Sequence, residues 1–146
     1  MRLFAMFAAA ASVLSSAETK IALEKLPAAV QAAVKEQTKH ATLLGITTEK
    51  AKGKTVYEAE TTVAGQKRDI LFASDGSVIE TEEEVDMNSL PTAARAAITK
   101  RAGGGAVTKV EKLTAGPTVS YEAAVRRRSG KVFEIGVNAD GTPHKD

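Results

Sequence analysis

The sequence predicts an α+β fold made of two tandem units. Each is a helix followed by an antiparallel meander, with the helices on one face of a shared or adjoining antiparallel sheet. Three observations predict it. The helix start "LPAAVQAAVK" (residues 26–35) is written again as "LPTAARAAIT" (residues 90–99), at an offset of 64. The tripeptide "YEA" stands at Tyr57–Ala59 and, at the same offset, at Tyr121–Ala123. A one-residue insertion then moves the offset to 65, pairing Gly65 with Gly130, Ile70 with Ile135 and Asp75-Gly76 with Asp140-Gly141. Helix start, strand and turn recurring in one order mark a duplication.

Each element has a local reason. Pro27 and Pro91 suit a first helical turn, where a missing N–H is no loss. Leu26, Val30, Ala33 and Val34 then fall on one helical stripe, as do Leu90, Ala94, Ala97 and Ile98. The segments "HATLLG" (40–45) and "RAGGGA" (101–106) end the helices. Alternating runs bounded by Gly, Asp and Asn predict strands near 42–48, 54–63, 67–74 and 77–83, with counterparts near 107–113, 118–126, 130–138 and 141–144. Asp-Gly in "ASDGS" and "NADGT" is a strong hairpin signal, and "VAGQK" and "RRSGK" turn at their glycines. Tight turns between successive strands make them antiparallel. The polar stretch "EEEVDMNS" (82–89) reads as the connection, giving units at 18–85 and 86–146.

Alternation assigns the faces. Tyr57, Ala59, Thr61 and Val63 share one side, opposite Val56, Glu58, Glu60 and Thr62. Tyr121, Ala123 and Val125 share a side opposite Glu122, Ala124 and Arg126. Phe133, Ile135 and Val137 form a further apolar set, matched by Ile70 and Phe72. One face is thus apolar enough for the helices to cover, while the other is polar and can stay wet.

The N-terminus carries Arg2, an uncharged apolar run from Leu3 to Leu14, and the small residues "SSA". This is the pattern of a secretory signal, with cleavage expected after Ala17. The run has 12 residues, whereas a bilayer span needs about 20. The chain left by cleavage would be exported, periplasmic or extracellular, with no membrane span. There is no Cys, which excludes disulfides and cysteine-based metal or redox sites. Formal net charge is +2 with few aromatic residues, so no nucleic-acid footprint is present. The charge is unevenly divided: residues 18–85 hold nine Lys/Arg against twelve Asp/Glu, and residues 86–146 hold ten against six.

Chemistry-bearing residues are sparse. His40 sits at a helix end and His144 is almost terminal. Ser74 and Ser77 flank a turn without the elbow that activates a nucleophile. "AGGG" (102–105) lacks the Lys and Ser/Thr of a phosphate loop and reads as a flexible helix exit. The acidic run Glu80, Glu82, Glu83, Glu84 and Asp86 is a weak cation motif, read first as a solvated linker. Arg126, Arg127 and Arg128 form a basic triplet crowning a hairpin. No catalytic group, metal site or cofactor is expected, and the chain is not read as an enzyme.

The series "LPAAVQAAVK", "YEAET" and "ILFASDGSVIE" resembles the PepSY-like family related to β-lactamase inhibitory protein, over Lys25 to His144. The resemblance implies a secreted bacterial protein of tandem helix-plus-meander repeats. It further implies non-enzymatic binding or inhibition, with the open sheet face as the contact surface. The chain departs from the pattern at "DGTPHKD", where Pro143 cannot donate to a ladder and the last strand must be short and at an edge. The expected partner is a protein, met around Glu58, Glu60, Glu122 and Arg126; inhibition of a peptidase or other enzyme is one form this would take. The alternative is a small-ligand or cation-binding protein using the acidic run.

Overall fold

The computed structural model describes residues 18–51 and 53–144; the expected leader, residues 1–17, lies outside them. The described chain is mostly β, with eight strands hydrogen-bonded in sequence order and two α-helices. It divides into two compact units, Met1–Thr81 and Glu82–Asp146. The first holds β1 (Thr19–Lys20), α1 (Ala28–Gln37), β2 (Thr42–Ala51), β3 (Lys54–Val63) and β4 (Gln66–Ala73). Strand β5 (Val78–Glu84) runs through the boundary. The second unit continues with α2 (Thr92–Ala102), β6 (Ala106–Ala115), β7 (Thr118–Arg126) and β8 (Val132–Asn138).

The prolines start the helices from the cap position. Pro27 and Pro91 hold φ near −51°, and their carbonyls accept the first helical bonds, from Gln31 N at 2.9 Å and Arg95 N at 3.0 Å. A short 3-10 turn precedes each, Leu23–Lys25 and Met87–Ser89. Helix α1 stops earlier than the sequence suggests. The Thr38 backbone N–H and hydroxyl both donate to Val34 O, at 3.0 and 2.8 Å, so "HATLLG" opens β2 instead of closing the helix. Helix α2 ends at Gly103, which adopts the left-handed conformation (φ 58°) that glycine tolerates at a helix C-terminus.

Each helix covers its own strands. In the first unit Leu26, Val30 and Val34 pack on Ile46, Tyr57, Ala59, Ile70 and Phe72. In the second, Leu90, Ala94, Ile98 and Ala102 pack on Val110, Ala123, Val125, Ile135 and Val137. Antiparallel register sets these side chains opposite one another: Tyr57 with Phe72 and Ala59 with Ile70, then Tyr121 with Val137 and Ala123 with Ile135. Both units shift register at one corresponding place, between Leu43 and Gly45 in β2 and between Val107 and Lys109 in β6. Such bulges insert one residue and bend the strand.

Four expectations need correction. Val63, placed on the buried side, is 37% exposed because it ends β3 at the hairpin turn. Tyr121 is only partly buried, although it touches the core of its unit. The acidic run is no solvated linker: Glu82–Glu84 belong to β5, and Glu80 and Glu82 are buried. Nor do residues 141–144 form a strand. A single bridge joins Val137 to Pro143, consistent with the missing proline donor.

Candidate functional site

The face turned away from each helix is set by the register. On β3, Glu58 lies between Thr47 of β2 and Leu71 of β4, and Glu60 lies between Gly45 and Asp69. Both carboxylate-bearing side chains are half-buried. Beside them Ala51, Val56 and Leu71, joined by Ile79, form a small apolar cluster separate from the helix-covered core. Leu71 is 1% exposed there. Alternation correctly turned Glu58 and Glu60 away from α1, but this face is not uniformly wet.

In the second unit Glu122 and Arg126 share the face of β7 away from α2, as alternation predicts. Their surroundings differ. Arg126 ends the strand in solvent, opposite Ala106 and Val132. Glu122 is only 9% exposed and faces Glu111 across β6–β7. Glu122 was expected to be wet; its near-burial is a correction, and adjacent strands cause it. Lys109 Nζ sits 2.7 Å from Glu111 Oε1. Burial pushes the Lys109 ammonium pKa down, but the hydrogen bond and charge of Glu111, with the charges of Glu82 and Glu84, outweigh it and leave the pKa raised. Lys112, in register with Tyr121 on the helix-covered side, approaches Glu83 at 3.9 Å there instead. The face away from α2 thus holds mixed charges, and sequence reasoning missed Glu111 and Lys109 as members of it.

The remaining candidates resolve as structure. Ser77 donates its N–H and hydroxyl to Asp75 Oδ1 at 2.9 and 2.6 Å, and Ser74 Oγ donates to Thr55 O at 3.1 Å. Thr142 makes the corresponding pair of bonds to Asp140 Oδ1, at 2.9 and 2.6 Å. These bonds hold both Asp75 and Asp140 carboxyls below the usual carboxylate range. His144 Nδ1 lies 2.9 Å from Asn138 Oδ1, and its backbone N–H donates to Gly136 O at 3.0 Å, which docks the chain end on β8. His40 is exposed between α1 and β2. Among the described residues, no group of three or more His, Asp or Glu side chains is placed to hold a metal ion. No described helix is long and apolar enough to cross a membrane.

Solved structures share this fold. A BLIP-like protein from Bacteroides fragilis superposes with a TM-score of 0.60 and 25% identity, covering 80% of this chain and 82% of that one. A DUF2874 family protein from Bacteroides uniformis gives a TM-score of 0.68 at 20% identity, over 82% and 86% of the two chains. A Bacteroides eggerthii protein proposed to be periplasmic gives 0.69 at 18% identity, over 82% and 86%. No family model matches the chain, and no curated relative matches it either. The fold is thus of the BLIP-like kind.

Proposed function

We propose that the chain is an exported, non-enzymatic module that binds a protein partner through its helix-free sheet faces. On this reading residues 1–17 are a removed leader, and the remainder is a PepSY-like duplication with units at 18–85 and 86–146. The two units support that duplication with the same order of elements: a 3-10 turn, a helix starting at proline, and a meander bulged at the corresponding place. One observation carries the binding reading. Half-buried Glu58 and Glu60 stand on a face of the first unit that its own helix does not cover, beside a buried apolar cluster of Ala51, Val56 and Leu71 that holds their strands firm. Charged groups on a preformed face suit protein recognition, in which they set partner choice and association rate. Glu122 and Arg126 are the corresponding contact candidates of the second unit. The likeness to a BLIP-like protein favours inhibition of a peptidase or other enzyme as the form binding takes.

The test begins with residues 18–146 as bait against the native secretome. Binding of the captured partner is then measured for Glu58→Lys, Glu60→Lys, Glu122→Lys and Arg126→Glu. The glutamate reversals should shift association rate and its salt dependence in one sense and Arg126→Glu in the other. Unchanged affinity in all four, with folding intact, sinks the assignment of this face. A melting temperature that rises with calcium alone would instead favour the cation-binding alternative.

A further inference from the structure

The second unit holds a pocket of about 510 Å³ where the end of α2 meets the hairpin between β7 and β8, with Arg101, Gly103, Gly104, Arg127, Arg128 and Phe133 among its lining. Local rules build it. Gly103 and Gly104 both take positive φ, 58° and 80°, and a Cβ on Gly104 would meet no atom within 4 Å, so this wall is bare backbone beside open space. The opposite wall is the hairpin closed by Arg127 N to Lys131 O at 2.8 Å and Gly130 N to Arg127 O at 2.9 Å. Two of the three guanidinium groups are held in place. Arg127 lies over the Phe133 ring at 4.5 Å from its centroid, and Arg101 Nη1 donates to Gly136 O at 2.8 Å. No acidic residue lines the pocket. The three arginines are solvent-exposed along the pocket, where a bound anion would meet a positive field.

The first unit lacks the parts. At the corresponding positions its sequence has Gln37, Lys39 and His40 where the second unit has Arg101, Gly103 and Gly104. Arg68 stands where Phe133 does, and its Nη1 donates to Gln37 O at 3.3 Å. Val63-Ala64 stands where the second unit has Arg127-Arg128-Ser129, so the one-residue insertion that separates the copies falls in the pocket wall. Bare glycines, an aromatic ring and the arginines have all accumulated in one copy.

We propose that this pocket binds a small phosphomonoester, its phosphate on the arginines and its apolar body against Phe133. The volume lies within the range of about 300–1,000 Å³ usual for small-molecule sites. Guanidinium forks match oxyanions in pairs of parallel hydrogen bonds. A phosphate carries a charge of about −1.5 to −2 at neutral pH and three acceptor oxygens. It therefore answers three guanidinium groups and the Ser129 hydroxyl better than a carboxylate does. This site is independent of the proposed protein-binding faces, and its failure would leave them untouched.

The test is an amide-resolved NMR titration of residues 18–146 with phenyl phosphate, inorganic phosphate and benzoate. Phenyl phosphate should saturate with shifts centred on Gly103, Gly104 and the 127–131 hairpin, with the two simpler anions weaker. Arg127→Gln and Arg128→Gln, both at exposed positions, should each weaken binding by about tenfold or more. Lys100→Gln, on α2 but outside the lining, should leave it unchanged. Equal weakening by Lys100→Gln would reduce the effect to general surface charge and overturn the proposal. So would the absence of saturable shifts, or benzoate binding as tightly as phenyl phosphate.

Discussion

Glu111 and Glu122 stand directly opposite each other on β6 and β7, at 7% and 9% exposure, on the face turned away from α2. Like charges so placed oppose strand pairing. Lys109 answers from the same face, 2.7 Å from Glu111. Glu111→Gln takes away the bonded partner of Lys109 and should cost about 1 kcal/mol or more. Urea unfolding measures it. A gain in stability would mean that relief of the repulsion across the pair outweighs the lost bond to Lys109.

This pair also shows where sequence reading stops. Alternation correctly turned Glu122 away from the helix, because side-chain direction has a period of two. It could not give depth, because depth comes from neighbouring strands. Glu111 became the neighbour through a register shifted by the bulge between Val107 and Lys109. The same blindness made the acidic run a solvated linker: a strand was expected near 77–83, but the burial of Glu80 and Glu82 comes from neighbours that alternation does not show. The Leu-Pro helix starts, the "YEA" strands and the Asp-Gly turns were legible because their causes are local. The basic pocket was not. Its glycines and the pair Arg127-Arg128 lie more than twenty residues apart in sequence and meet only through tertiary structure.

The Asp-Gly turns press on the helices, which makes their glycines specific. A Cβ on Gly76 would lie 2.6 Å from Ala29 O, and one on Gly141 would lie 2.7 Å from Ala93 O. Both residues also have φ above +80°. Gly65 has a similar φ of 83° but nothing within 4 Å of its would-be Cβ. Alanine should therefore cost about 1–2 kcal/mol at Gly65, from backbone strain alone. It should cost clearly more at Gly76 and Gly141, where the hairpin must also move off its helix. Equal thermal destabilisation at all three would show that those contacts carry no energy.

Tyr57 and Tyr121 occupy corresponding places but unequal burial, and truncation should separate them. Tyr57 is buried within its core, so Tyr57→Ala should cost about 3–5 kcal/mol. Tyr121 is only partly buried and should cost less, about 1–3 kcal/mol, because part of the ring keeps its solvent in the folded state. Chemical unfolding of the two variants decides. A larger loss at Tyr121 would reverse this ranking of the two cores.

The last prediction concerns alkaline pH. In the folded chain the Lys109 pKa is raised, because the Glu111 bond and the Glu111, Glu82 and Glu84 charges outweigh burial. A raised lysine pKa means that the folded state holds the proton more tightly than the unfolded state does. The resulting stability is fully present below the unfolded lysine value of about 10.4. It is lost as pH rises through the higher folded value. Lys109→Gln removes the charge at every pH. The stability gap between the native chain and this variant should thus be constant from neutral pH to about pH 9.5, then shrink above about pH 10.4. Comparing the two proteins cancels the titration of all other groups that behave alike in both. Urea midpoints across that range provide the measurement. A gap that widened with alkalinity would mean the neutral amine is the form the fold prefers, and the lattice around Glu111 would need another cation to hold it.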